Sequence, residues 1–93
     1  MAGPSWTFLT NHARVLLCLA EEPDLRLREA AERIGITERA VQRIVTDLEE
    51  SGVITRTREG RRNHYTVNED AHLRHPSDAD ITVGDFLRLR LSI

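Results

Sequence analysis

The sequence predicts a mainly α-helical chain with one small β-hairpin, an α+β domain with a single core. Three observations carry this expectation. Apolar residues recur at helical spacing over 11–22, 27–34, 38–51 and 82–91. Two runs rich in β-branched residues, 53–58 and 61–67, flank Glu59-Gly60 in the manner of a hairpin. Finally, 93 residues with only five glycines and three prolines have room for one core, and a thin one.

The elements follow in order. Residues 1–9 read as a loose lead-in whose Trp6, Phe8 and Leu9 are apolar enough to dock on the body. Thr10 or Asn11 caps a helix that runs to about Glu22, before Pro23. Its stripe Ala13, Leu16, Leu17 and Ala20 is matched by a second apolar face of Val15, Cys18 and Leu19. A helix apolar on two sides must be covered on two sides, which predicts a partner for the second. After Pro23-Asp24 and a short extended stretch, Leu27, Ala30, Ala31 and Ile34 form the buried stripe of a second helix. Arg28, Glu29, Glu32 and Arg33 lie opposite. Gly35 stands just past its end, where a left-handed backbone is cheap only for glycine. Thr37 is a good N-cap for helix 38–51, which buries Val41, Ile44, Val45 and Leu48. Two short helices about Gly35-Ile36-Thr37 make a helix-turn-helix. In the hairpin, Tyr65 and Val67 read as core-facing. The stretch 68–80 is an acidic connector with turn residues Pro76-Ser77-Asp78. Segment 81–93 is ambiguous: Leu87, Leu89, Leu91 and Ile93 alternate like a strand, whereas Thr82 with Asp85 resembles a capping box. The cap favours a helix over 82–91.

Composition narrows the function. The longest purely apolar run, Val15–Ala20, is 6 residues, against the ~20 that span a bilayer. The first residues lack a basic stretch followed by an apolar core, so no signal peptide is expected. Cys18 is the sole cysteine and cannot form an internal disulfide. The expected location is the cytoplasm. All 13 basic residues are arginine, so every cation can bind phosphate or guanine bidentately. The net charge of −2 argues against nucleic acid, but its distribution does not. Residues 51–67 sum to +3 and every other quarter of the chain is negative.

The pattern Ala31, Gly35, Val41, Ile44 around the turn, followed by the hairpin, resembles the winged helix-turn-helix of bacterial regulators of the MarR- and ArsR-like groups. The string ITERAVQRIVTDLEESGVITRTREGRRNHYTV (36–67) is very similar to the recognition helix and wing of that fold. The resemblance covers residues 10–67. It implies sequence-specific binding of double-stranded DNA by a small homodimeric transcriptional regulator that is not an enzyme. The residues support the same reading. With the apolar stripe inward, helix 38–51 shows Glu38, Arg39, Gln42, Arg43 and Thr46 outward, where side chains enter a major groove ~12 Å wide. Arg pairs with guanine and Gln with adenine, so Arg39, Gln42 and Arg43 are base-reading candidates. Thr37 suits a phosphate at the helix N-terminus. Arg58, Arg61 and Arg62 at the hairpin tip, with Arg56 leading into it, suit flanking phosphates or a narrow minor groove.

Other features are weaker. Asp70, His72 and His75 form a D-x-H-x-x-H string, and some ArsR-like sensors bind metal through such ligands; a surface connector is the preferred reading. No cofactor or metal is expected. His12 and His64 read as solvated or near phosphate. No glycine-rich phosphate loop and no nucleophile-base spacing supports catalysis. Val15, Cys18, Leu19, Phe86, Leu87, Leu89 and Leu91 find no obvious place in one core. They are therefore assigned to a homodimer interface made by helices 11–22 and 82–91. An effector, if one exists, is expected at that interface, and its identity is open. The alternatives are a winged helix that docks protein rather than DNA, favoured by the acidic tail, and a metal-responsive regulator.

Overall fold

The first helix, α1 (Asn11–Glu21), starts where Thr10 Oγ1 accepts the Ala13 N–H at 3.1 Å. This computed structural model describes residues 3–91, with side chains for 3–90. Val15 and Leu19 are fully buried, and Leu16 and Leu17 nearly so. The helix is packed by three elements of its own chain, α2 (Leu27–Ile34), α3 (Glu38–Glu50) and strand β2 (Arg62–Val67). This corrects the expectation that Val15 and Leu19 need a partner. A helix placed through the middle of a small domain buries both faces within it.

Helix α2 (Leu27–Ile34) sets Ala30 and Ala31 against α3 (Glu38–Glu50). Between them Gly35 takes φ +84, and its N–H and that of Ile36 both bond Ala31 O, at 2.8 and 3.1 Å. The left-handed residue ends one helix so sharply that the N-cap of the next, Thr37, follows two residues later. Thr37 Oγ1 caps it through the Ala40 N–H. The buried stripe of α3 is Val41, Ile44, Val45 and Leu48, the four residues its spacing predicts.

Strands β1 (Ile54–Glu59) and β2 (Arg62–Val67) pair antiparallel, Ile54 opposite Val67 and Glu59 opposite Arg62. The turn is therefore Gly60-Arg61, one residue later than the sequence suggests. Gly60 has φ +63 and no residue other than glycine has positive φ among the described residues. That excludes the turn with two left-handed residues and selects the one with glycine first, whose twist matches the strands. Alternation places Ile54, Arg56, Arg58, Asn63 and Tyr65 on one face and Thr57, Glu59, Arg62 and His64 on the other. Tyr65 is 2% exposed, and its N–H bonds Pro23 O at 2.9 Å, pinning the hairpin to the loop after α1.

Residues 68–82 fold back on themselves. His72 bridges Thr82, Leu73 N–H bonds Ile81 O, and Pro76–Asp78 form one 3-10 turn. Then α4 (Val83–Leu91) begins with a reciprocal cap: Thr82 N–H to Asp85 Oδ2 and Asp85 N–H to Thr82 Oγ1, both 3.1 Å. The box resolves the helix-or-strand ambiguity in favour of the helix. Val83 and Leu87 enter the core, Phe86 is half-buried, and Leu89 is 68% exposed. Leu87 thus joins Val15 and Leu19 as a residue with a place inside after all. The side chain of Leu91 lies outside the described ones. Trp6 and Phe8 do not dock: they are 68% and 91% exposed and meet each other edge to face at 5.1 Å. No helix among the described residues is long and apolar enough to cross a membrane.

Candidate nucleic-acid interface

The outward side of α3 and the near face of the hairpin are two walls of one cleft of about 690 Å³. Its floor is Leu25, Val45 and Tyr65. From α3 come Glu38, Gln42 and Thr46, one turn apart on a single line. From the hairpin come Arg56, Arg61, Arg62 and Asn63. Arg39 and Arg43 stand beside that line, on the exposed crest of α3. Gln42 and Thr46 from the helix and Arg61 and Arg62 from the hairpin therefore line one concave surface, which Arg58 does not join. Thr37, at the start of α3, is exposed; its oxygen is used by the Ala40 N–H, and its hydroxyl proton remains available. Thr46 donates to Gln42 O at 3.1 Å, which steadies its side chain within the helix.

Two arginines line the cleft that the sequence did not single out. Arg26 and Arg28, at the start of α2, form its third wall. Only folding brings the N-terminus of α2 across from the hairpin. The signal available was the helix-turn-helix itself, whose first helix crosses the nucleic-acid backbone.

Charge pairing separates the arginines into two groups. Arg33, Arg56, Arg88 and Arg90 each reach a carboxylate, on Glu22, Glu49, Asp85 and Glu21. Among the described residues, Arg26, Arg28, Arg39, Arg43, Arg61 and Arg62 form no ion pair, and Arg58 bonds only its own turn at Gly60 O. Of these, Arg26, Arg28, Arg61 and Arg62 line the cleft and Arg39 and Arg43 stand beside it. Arg58 does not line it, and Arg14, bonded to Asn11, and Arg74 are also without an ion pair among the described residues and lie elsewhere. An unpaired cation cluster is held apart only by solvent and is neutralised by an external anion. Arg56 is corrected in role. Its guanidinium lies 3.2 Å from Glu49, so it braces the hairpin against α3.

Of the histidines read as solvated or near phosphate, His12 is exposed and His64 half-buried, and each meets a carboxylate. His12 Nε2 lies 2.8 Å from Asp47 Oδ2, joining α1 to α3, and His64 Nδ1 lies 2.8 Å from Asp24 Oδ1. The hydrogen bond to Asp24, with the charges of Asp24 and Glu59, raises the His64 pKa above its ordinary value. His72 Nδ1 bonds Ala79 O and His75 Nδ1 accepts the Ser77 N–H. Both are therefore engaged in the turns of 68–82, as the connector reading expects. Cys18 is half-buried, and burial pushes its thiol pKa up, away from the reactive thiolate.

A family model, described as MarR family, matches residues 7–62. No curated protein matches the sequence significantly. Among solved structures, the PcaV transcriptional regulator from Streptomyces coelicolor, in complex with its natural ligand, is 23% identical with a TM-score of 0.58. That match covers 90% of this chain and 61% of PcaV. A point mutant of ZitR from Lactococcus lactis is 22% identical over 74% of this chain and 49% of its own, with a TM-score of 0.57. The IscR protein of T. potens, 15% identical, covers 92% of this chain and 89% of its own at a TM-score of 0.62. At these identities the likeness is one of fold. The chain spans about half of ZitR and 61% of PcaV.

Proposed function

The chain belongs to the MarR family, and from that premise we propose that it is a transcriptional regulator that binds double-stranded DNA through the α3–hairpin cleft. The observation that carries the reading is the gathering of unpaired arginines around one cleft in a protein whose net charge is −2. Helix α3 enters the major groove, with Arg39, Gln42, Arg43 and Thr46 toward base edges and Thr37 toward a phosphate. Arg58, Arg61 and Arg62 of the wing grip the flanking backbone. Arg26 and Arg28 add phosphate contacts from the other wall. Most of the affinity is then phosphate neutralisation, and it weakens with salt.

Two copies read an inverted repeat, each half-site one helical turn from the other. With Val15, Leu19 and Leu87 inside the protomer, the support for a dimer moves to other surfaces. Trp6 and Phe8 are exposed, and burying a Phe side chain is worth about 1.5–3 kcal/mol. A symmetric pair is the commonest way to cover such a surface.

The test is a salt titration of binding to a random duplex, followed by anisotropy. Replacing Arg58, Arg61 and Arg62 together by Ala should weaken binding to specific and random duplexes alike. It should also flatten the log–log salt slope by about 0.9 for each phosphate left unneutralised. An unchanged slope would place the wing away from DNA. Absence of any salt-dependent binding would favour a protein-docking role.

A further inference from the structure

We propose that Asp24, Glu59 and His64 form a divalent-metal site, fit for Zn2+, that clips the back of the wing to the loop after α1. The three donor atoms lie within 4.8 Å of one another. His64 Nδ1 is 2.8 Å from Asp24 Oδ1 and 4.0 Å from Glu59 Oε2. Nitrogen and oxygen donors bound at about 2.0–2.2 Å to one zinc ion stand roughly 3 Å apart. Small side-chain rotations therefore bring all three into range. One imidazole and two carboxylates form a mixed donor set that suits zinc, with open positions for water.

The scaffold holds this arrangement from three places in the chain. The Tyr65 N–H to Pro23 O bond, 2.9 Å, fixes the residues next to His64 and Asp24. Pairing of Thr57 with His64 and of Glu59 with Arg62 puts Glu59 and His64 on one face, diagonal to each other. The orientation of Glu59 is the telling feature. It sits between Arg58 and the turn and opposite Arg62, yet among the described residues its carboxylate pairs with neither. It turns instead toward a second carboxylate and an imidazole. Two carboxylates about one imidazole carry an excess of negative charge, which a dication neutralises. Glu59 and His64 share the hairpin face opposite Arg56 and Arg58, while Asp24 lies at the edge of the cleft. Asp24 and Glu59 are exposed and His64 is half-buried. On binding, the metal takes the Nδ1 lone pair, the proton shared with Asp24 leaves for solvent, and the ring's one remaining hydrogen is carried on Nε2, taken from solvent where the ring starts neutral. The ion then joins both strands of the wing to the body.

The inference is tested without DNA, so its failure and that of the DNA-binding reading are distinguishable. ZnCl2 is titrated into the metal-free full chain by calorimetry, with the visible absorption of a Co2+ complex as a signature of coordination. One equivalent is expected. Asp24→Asn, Glu59→Gln and His64→Gln should each weaken zinc by about tenfold or more, as loss of a ligand does, while a His72→Gln/His75→Gln variant leaves it unchanged. Glu59 lies at an exposed tip, so Glu59→Gln keeps the fold, and metal-free thermal unfolding verifies this for all variants. No saturable zinc binding, or affinity equal to wild type in Glu59→Gln and His64→Gln, would overturn the site and leave the trio an ion pair.

Discussion

Gln42 sits between the crest of α3 and the cleft, and this position decides what the residue can read. It lies on the line Glu38–Gln42–Thr46 that faces the hairpin, while Arg39 and Arg43 project from the adjacent strip. Arg39→Ala and Gln42→Ala should each cost about 1–3 kcal/mol on the preferred duplex and relax discrimination at one base position. Selection from a random duplex library checks this. If both variants keep the wild-type preference, α3 is not the reading helix. Tyr65 carries a second residue-level prediction. Its ring is fully packed, and its hydroxyl is buried with no hydrogen-bond partner among the described residues. A buried hydroxyl without a partner keeps its desolvation cost. Tyr65→Phe should therefore leave stability unchanged or raise it by up to about 1 kcal/mol, read from the urea midpoint. A clear loss would show that the hydroxyl holds a bond of its own.

At the scale of elements, α4 depends on its first turn. Thr82 and Asp85 exchange hydrogen bonds, and Arg88 reaches the same carboxylate. The Thr82 N–H and the Arg88 guanidinium hold the Asp85 pKa below its usual value. The sign follows from linkage. Because the folded pKa is depressed, the stabilisation is complete above the unfolded value near ~3.9 and disappears as pH falls through the folded value. Helicity of the full chain should accordingly show an acid loss that is reduced in Asp85→Asn. Superimposable acid limbs for the two proteins would show that the cap does not hold α4. The hairpin makes a related point. Its turn lies one residue beyond the Glu59-Gly60 pair because strand register was set by Ile54 and Tyr65 packing inward, and Gly60 then had to take the first turn position. A one-residue slip would have put Tyr65 on the solvent side.

For the whole molecule, the question is which surfaces remain for a second copy. Val15, Leu19 and Leu87 are spent on the protomer's core, so a segment deletion of 81–93 would damage the fold along with any interface. A substitution on an exposed side chain separates the two. Phe8 is 91% exposed, and Phe8→Asp should leave the thermal unfolding midpoint unchanged while converting a dimer to a monomer. Sedimentation equilibrium of both proteins at micromolar concentration checks it. A wild-type protein that sediments as a monomer would remove the dimer, and with it the two-half-site reading.

Local chemistry was legible in the sequence. The caps at Thr10, Thr37 and Thr82, the left-handed Gly35 and the stripe Val41, Ile44, Val45, Leu48 are dictated by contacts within a few residues, so helices and helix-turn-helix followed from spacing alone. The outward set on α3 followed for the same reason, as the complement of its buried stripe. What only the tertiary structure decided is which surfaces meet. Helix α1 runs through the centre, so its second apolar face needed no partner. Arg56 turns to Glu49, and His64 to Asp24. Arg26 and Arg28 arrive beside the wing across a separation that no local pattern encodes. Helical period specifies the direction of a side chain around its own axis, but a charge finds its partner, and an apolar face its cover, only when distant segments pack.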